Sequence, residues 1–142
     1  MKLPTGTSFI ELLLVLVIVG ILMALALPPY IAVRDRASVN SAATAAVAAF
    51  DAARALALTR GLHAAIRIDT LVGRIVVHSG VDSVLRVPLG TSWGVRLSAS
   101  RDSSALAPDG LGYGAANLSL VIMRGAAADT VIVSRLGRVT RR

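Results

Sequence analysis

The strongest pattern in the 142-residue chain is an apolar run without a charge, Leu12 to Leu27, close to its amino terminus. A helix over 7–29 would be roughly 34 Å long at about 1.5 Å per residue, which is enough for a hydrocarbon core of about 30 Å. The uncharged run alone covers only about 24 Å, so Phe9 and Ile10 must also enter the apolar layer. The pattern therefore predicts one membrane-spanning helix over 7–29.

A second helical pattern continues directly from the first. Between Tyr30 and Thr59 there is neither proline nor glycine. Apolar residues recur there at steps of three and four, which predicts an amphipathic helix with one packing stripe: Val39, Ala43, Ala46, Val47, Phe50, Ala53 and Ala57. Charged residues lie mainly off this stripe: Arg34, Arg36, Asp51 and Arg54. We expect 30–61 to be the second half of the same helix, stopped by Gly61 with Arg60 in the last turn.

Period-two alternation in the remaining residues predicts about seven short strands. They fall at 65–69, 74–78, 85–89, 95–99, 118–123, 130–133 and 138–140. Turn residues separate them at Gly80-Val81-Asp82 and Gly90-Thr91-Ser92, and a long loop is expected from Ser100 to Ala116. We therefore predict an α+β fold in which one antiparallel head, 62–142, packs on the amphipathic half of the helix. Because so short a head buries little, the helix must supply much of its core.

Glu11 stands at the start of the apolar run, where a charge is costly in a membrane. One interpretation is local, because Ser8 and Glu11 have the spacing of a capping box. Another is an ordinary secretory signal, with Lys2 as its basic region and Ala24-Leu25-Ala26 as its cleavage site. Glu11 and the Pro28-Pro29 pair argue against that signal, since its apolar region carries no acid and its cleavage site needs an extended backbone. The alternative of a secreted periplasmic domain stays open.

The residues around Glu11 resemble the processing site of type IV pilins and type II secretion pseudopilins. Gly6 is followed by Thr7-Ser8-Phe9-Ile10-Glu11, with the acid at the fifth position after the glycine. The resemblance implies that prepilin peptidase removes the leader 1–6, cutting after Gly6, and methylates Thr7. Thr7 is small and polar where the family usually has an apolar residue. We expect this difference to affect the efficiency of methylation more than that of cleavage. Pro28 falls where pilin helices often carry a proline that loosens the helix.

The resemblance implies that Glu11 forms an ion pair with the amino-terminal ammonium of a neighbouring subunit. Such a pair offsets the free-energy cost of burying each charge alone in a medium of low dielectric constant. The carboxyl-terminal half is similar to the GspH/FimT group of minor pilins and pseudopilins, on the segments Ala107 to Gly112 and Gly137-Arg138-Val139. The implied pilin-like protein is single-pass in the inner membrane with its head in the periplasm. It then joins other pilin or pseudopilin subunits in a pilus or pseudopilus, at or near the tip. Arg34 and Arg36, which follow the helix, oppose this orientation by the positive-inside rule.

Charge raises an alternative function. Lysine and arginine number 15 against 8 acids, and every basic residue except Lys2 is arginine. Four arginines crowd the carboxyl terminus: Arg135, Arg138, Arg141 and Arg142. The arginine fork suits phosphate, so this tail could bind a nucleic-acid backbone. Some FimT-type pilins that serve DNA uptake bind DNA through a carboxyl-terminal glycine-arginine motif, and Gly137-Arg138 is similar. A solvated edge strand, or a tail for anionic lipid or an acidic subunit, explains the same residues.

Catalytic patterns are weak. The chain has no cysteine, which excludes thiol catalysis and thiolate metal sites. His63 and His78 have no carboxylate at ligand spacing. The run from Gly110 to Gly114 lacks the glycine spacing of a dinucleotide-binding loop. We expect a structural protein that is not an enzyme and needs neither cofactor nor metal.

Overall fold

The computed structural model describes residues 8–80, 82–113 and 117–142. Its first element, α1, spans Phe9–Arg60. The Ser8 carbonyl accepts hydrogen bonds from the backbone N–H groups of Glu11 at 3.0 Å and Leu12 at 3.2 Å, which closes the first turn. At the other end Gly61 adopts a φ of +63°, a conformation that glycine enters without penalty. The predicted stop at Gly61 is confirmed.

The head contains nine strands among the described residues, with one short helix between the third and the fourth. They are β1 Ala64–Asp69, β2 Arg74–Ser79, β3 Asp82–Val87, α2 Leu89–Trp93, β4 Arg96–Ala99, β5 Ser103–Leu106, β6 Gly112–Tyr113, β7 Leu118–Arg124, β8 Ala127–Val133 and β9 Val139–Arg141. One sheet has the order β3-β2-β1-β5-β6 and the other β4-β7-β8-β9. All pairings are antiparallel, so the predicted α+β architecture is confirmed.

The core is shared by α1 and both sheets. Eight residues of α1 are buried, six of them alanine: Val39, Ala42, Ala43, Ala46, Ala49, Phe50, Ala53 and Ala57. The buried stripe is wider than the predicted one, because Ala42 and Ala49 also face the core whereas Val47 is only partly buried. The helix thus contributes mainly small side chains to the core, and Phe50 is among the largest fully buried side chains of the described residues.

Two features of the head differ from the prediction. The expected loop from Ser100 to Ala116 contains β5 and β6, and the expected turn at Gly90-Thr91-Ser92 lies within α2. The segment Ser103–Leu106 has no β-branched residue, so its strand arises from pairing with β1 rather than from local propensity. Leu89, predicted to end a strand, is instead fully buried as the first residue of α2.

The chain divides into two compact units, the first ending at Arg34 and the second covering Asp35–Arg142. The first is helical throughout its described part, apart from Ser8. The second comprises the rest of α1 and all the strands. Gly6 and Thr7, the predicted processing residues, lie outside the described residues.

Candidate functional site

Every described residue from Ser8 to Arg34 is exposed, although most of them are apolar. Phe9 is 78 % and Ile10 74 % exposed. An 18-residue stretch of α1 has a mean hydropathy of 3.0 with none of it buried, so it is long and apolar enough to cross a bilayer. Core helices and signal sequences satisfy the same criterion of length and composition, but a core helix is covered by its own domain and this stretch is not.

Glu11 lies in the first turn of α1 and is exposed. In the described part of the chain no basic side chain forms a salt bridge with its carboxylate. A carboxylate near the helix amino terminus is favoured by the helix dipole by about 0.3–1 kcal/mol, which is less than the roughly 3 kcal/mol that a charge costs at the centre of a membrane helix. The pairing with another subunit that the resemblance implies for Glu11 stays a prediction.

Pro28 and Pro29 both lie inside α1. Neither has a backbone N–H, so two of the helix's internal hydrogen bonds cannot form. The helix nevertheless continues through both residues to Arg60. The loosening of the helix that the resemblance implies at Pro28 stays a prediction.

Arg124, at the end of β7, joins the second part of α1 to the head. Its Nε lies 2.9 Å from Oδ1 of Asp35, and one terminal amino group, Nη1, donates both to Ser38 Oγ at 2.9 Å and to the Trp93 carbonyl. The side chains of Arg124 and Asp35 are only 21 % and 16 % exposed. A charge pair this enclosed is screened little by solvent and fixes where the β7–β8 hairpin contacts the helix.

Arg141, one of the predicted nucleic-acid residues, binds within the head. It contacts Oδ2 of Asp129 through Nε at 2.6 Å and through a terminal amino group at 2.5 Å. It also donates to Asn40 Oδ1, and to Thr44 Oγ1 at 3.4 Å, both on α1. Its guanidinium group is thus largely committed to intramolecular partners on β8 and α1.

The other predicted nucleic-acid residues, Arg135, Arg138 and Arg142, are exposed. Arg141 differs from these three because its guanidinium group is engaged by Asp129 and Asn40. The four arginines are therefore not equally available to a ligand. Three of them stay available for the predicted nucleic-acid contact, which stays a prediction.

The two carboxyl-terminal segments that carried the resemblance meet in space. The Gly112 N–H donates to the Arg135 carbonyl at 2.8 Å, which joins the loop before β6 to the turn between β8 and β9. Gly110 and Gly137 have φ values of +77° and +68°, and a Cβ on Gly137 would collide with the Gly110 carbonyl. Arg54 lies beneath both glycines and is half-buried, contrary to its predicted place off the stripe. Both glycines are therefore required for this close approach.

Neither histidine belongs to a group of candidate metal ligands among the described residues. His63 packs edge-to-face on Tyr113, with ring centroids 4.7 Å apart. Within residues 8–80, 82–113 and 117–142 no three histidine, cysteine or acidic residues are grouped so that they could hold a metal ion. Sequence reasoning missed Asp35, Arg124 and Asp129 as structural residues, because each pairs with a residue far away along the chain.

Compared as a sequence, the chain matches no protein-family model and no curated protein. As a structure it is similar to the type IV minor pilin FimU of Pseudomonas aeruginosa strain PAO1 in two crystal forms. In space group P21 the TM-score is 0.64 at 13 % identity, over 75 % of this chain and 90 % of that one. In space group P65 the TM-score is 0.60 at 13 % identity, over 72 % and 91 %.

It is also similar to EpsH, the minor pseudopilin of the type 2 secretion system of Vibrio cholerae. The TM-score is 0.58 at 13 % identity, over 74 % of this chain and 96 % of that one. The fold is therefore pilin-like, the fold of minor pilins and minor pseudopilins. The fold implied by the sequence resemblance is confirmed.

Proposed function

We propose that the chain is a minor pilin or pseudopilin subunit. It is inserted in the inner membrane as a precursor with its head in the periplasm, then built into a type IV pilus or a type II secretion pseudopilus, near the tip. The observation that carries the proposal is α1, whose first part is apolar and exposed at every described position while its second part supplies the core of the head. So large an apolar surface is stable only inside a bilayer or against other subunits.

Glu11 gives this surface an assembly role. Buried alone in an apolar bundle the carboxylate would be destabilising, and a cation from an adjoining subunit would offset that cost. Cleavage after Gly6 creates such a cation, since it leaves the ammonium of Thr7 as the new amino terminus. The fold of FimU and EpsH, both subunits of this class, supports the proposal.

The mass of the mature amino terminus tests this function. We expect a chain that begins at Thr7, carrying one methyl group, after isolation from cells that contain prepilin peptidase. In a strain without the peptidase the chain should keep its leader. A chain that begins at Leu27 would instead identify an ordinary secretory signal and a secreted periplasmic domain, and would contradict the proposal.

The DNA-binding version of the same subunit is the second candidate. The observation that favours it is the exposure of Arg135, Arg138 and Arg142 within one short tail. Commitment of Arg141 to Asp129 removes one of the four proposed contacts. We therefore keep filament assembly as the primary function.

A further inference from the structure

The outer face of the five-stranded sheet carries an ordered row of basic residues. Ile66, Ile68, Ile75 and Val77 are buried in the core, so the residues that alternate with them point outward. Arg67 pairs with Val76, and Val76 pairs with Arg86 on the next strand. One valine thus lies between two arginines, whose Cα atoms are about 10 Å apart at the usual strand spacing.

A groove of about 520 Å³ lies on this outer face, within the usual size range of binding pockets. Its lining includes Arg67, Arg86, His78 and Val76, together with Leu71 from the β1–β2 turn. Leu71 is 97 % exposed. A fully exposed leucine beside arginines makes a mixed apolar and basic surface, which is typical of a protein-binding site.

The charges in the groove are not equally available. Asp69 pairs with Arg74 at 3.2 Å, and it also accepts a hydrogen bond from the Val72 N–H at 3.1 Å. Arg67 and Arg86 form no salt bridge with any carboxylate in the described part of the chain. Arg86 Nε donates to Ser83 Oγ at 3.0 Å, which orients its guanidinium group and leaves the terminal amino groups for a ligand. Two cations, of which Arg86 is oriented by a hydrogen bond, therefore flank the side chain of Val76.

We propose that this groove binds an acidic, extended segment of a protein partner, with one carboxylate on Arg67, another on Arg86 and an apolar side chain between them on Val76. Side chains at i, i+2 and i+4 of an extended segment face the same side, so carboxylates four residues apart leave an apolar side chain between them for Val76. The two carboxylate-bearing Cα atoms are then about 13.6 Å apart, and the long arginine and glutamate side chains span the roughly 4 Å difference from the arginine separation. Arginine binds a carboxylate through two parallel hydrogen bonds, which would align the segment across the strands.

The same groove suits a nucleic acid less well. Asp69 and Asp102 also line it. A nucleic acid carries a phosphate charge on every nucleotide, so some phosphates would lie close to these carboxylates and be repelled by them. His78 is the one ring among its lining residues, and Trp93 and Tyr113 are not among them, so the groove lacks the series of aromatic side chains on which successive bases stack. A peptide can place its few carboxylates on the two arginines and keep uncharged residues beside the two acids.

Binding of a synthetic peptide tests the proposal. Fluorescence anisotropy would follow a labelled Gly-Glu-Ala-Leu-Ala-Glu-Gly peptide, which places both glutamates and the leucine on one face of an extended chain. It would be titrated with the full chain in non-ionic detergent, beside the analogue that carries glutamine in place of both glutamates. We expect the acidic peptide to bind in a salt-dependent manner, and the combined Arg67→Gln and Arg86→Gln variant to bind about tenfold more weakly. The matched control, Arg135→Gln with Arg138→Gln, loses the same charge from exposed sites elsewhere and should change binding by less than about twofold.

Three results would overturn the proposal. These are equal binding of the two peptides, equal loss in the two arginine variants, and tighter binding of a short DNA duplex than of the acidic peptide through Arg67 and Arg86. All four substituted arginines are exposed, so circular dichroism should show unchanged unfolding midpoints. The inference concerns the head alone, so its test is independent of whether the chain assembles into a filament.

Discussion

Arg124 and Asp35 form the most enclosed ion pair of the described head, with Nε and Oδ1 2.9 Å apart. The pair joins β7 to the first turn of α1 that belongs to the second compact unit. Gly125 follows Arg124, and a Cβ there would collide with the Asp35 carboxylate. The ion pair and the hydrogen bonds of Arg124 therefore hold the β7–β8 hairpin against the helix. The absence of a side chain at Gly125 permits this close contact.

Replacement of Asp35 by asparagine should lower the free energy of unfolding by about 1–3 kcal/mol, because it leaves a largely enclosed guanidinium group without its counter-charge. Thermal unfolding of the full chain in detergent measures this. Asp51→Asn is the matched control, since Asp51 is exposed on the same helix and should change the free energy by less than about 0.5 kcal/mol. Equal effects of the two substitutions would contradict a structural role for the pair.

A left-handed backbone costs a residue with a side chain about 1–2 kcal/mol. Gly137→Ala should lower the free energy of unfolding by more than this, because the added methyl group would also collide with the Gly110 carbonyl. Gly80→Ala separates the two effects. Gly80 has a φ of +64° and open space around it, so this variant should show the backbone cost alone. An equal loss of unfolding free energy in both variants would show that the contact between the two loops is unimportant.

Arg141→Gln should lower the free energy of unfolding by about 1–2 kcal/mol, because Arg141 binds Asp129 through two contacts and reaches α1 as well. Arg142→Gln, at the neighbouring exposed position, should leave stability unchanged. A loss of DNA binding after replacement of Arg141 would therefore not identify a contact. The tail alternative is tested by Arg138→Gln with Arg142→Gln, and unchanged affinity of this variant for duplex DNA would refute it.

The hydrogen bond from the Val72 N–H is the strongest influence on the Asp69 carboxylate and holds the pKa of Asp69 below its ordinary value of 3.8. Desolvation opposes this shift, and the charge and hydrogen bond of Arg74 add to it. A pKa that is lower in the folded state stabilises the fold above pH 3.8, and the contribution is lost as the pH falls through the folded value. Carboxyl titration by NMR should give a midpoint below 3.8. Arg74→Gln should raise it only in part, and a midpoint at or above 3.8 in the unmodified chain would contradict the geometry of this turn.

The sequence predicted the features that depend on local patterns. The three-to-four spacing and Gly61 gave the extent of the helix, and period-two alternation located most strands. Strand β5 was not predicted because its residues have weak strand propensity and its structure depends on pairing with β1. Strand β6 was not predicted because it has only two residues, which pair with β5. The intramolecular contacts of Arg141 could not be predicted either, because its partners Asp129 and Asn40 are far from it along the chain. The resemblance included Gly110 and Gly137, but the sequence did not predict that these two glycines lie against each other.

The central claim is that the Glu11 carboxylate pairs with a neighbouring subunit's new amino terminus during assembly. Its most direct test compares Glu11→Ala with Glu11→Asp, which keeps the charge, by the fraction of chain recovered in sheared filaments relative to its amount in the membrane. We expect the alanine variant to lose about tenfold or more in incorporation, because the ammonium would remain without its counter-charge in an apolar bundle, and the aspartate variant to retain most of it. Undiminished incorporation of the alanine variant would contradict the claim.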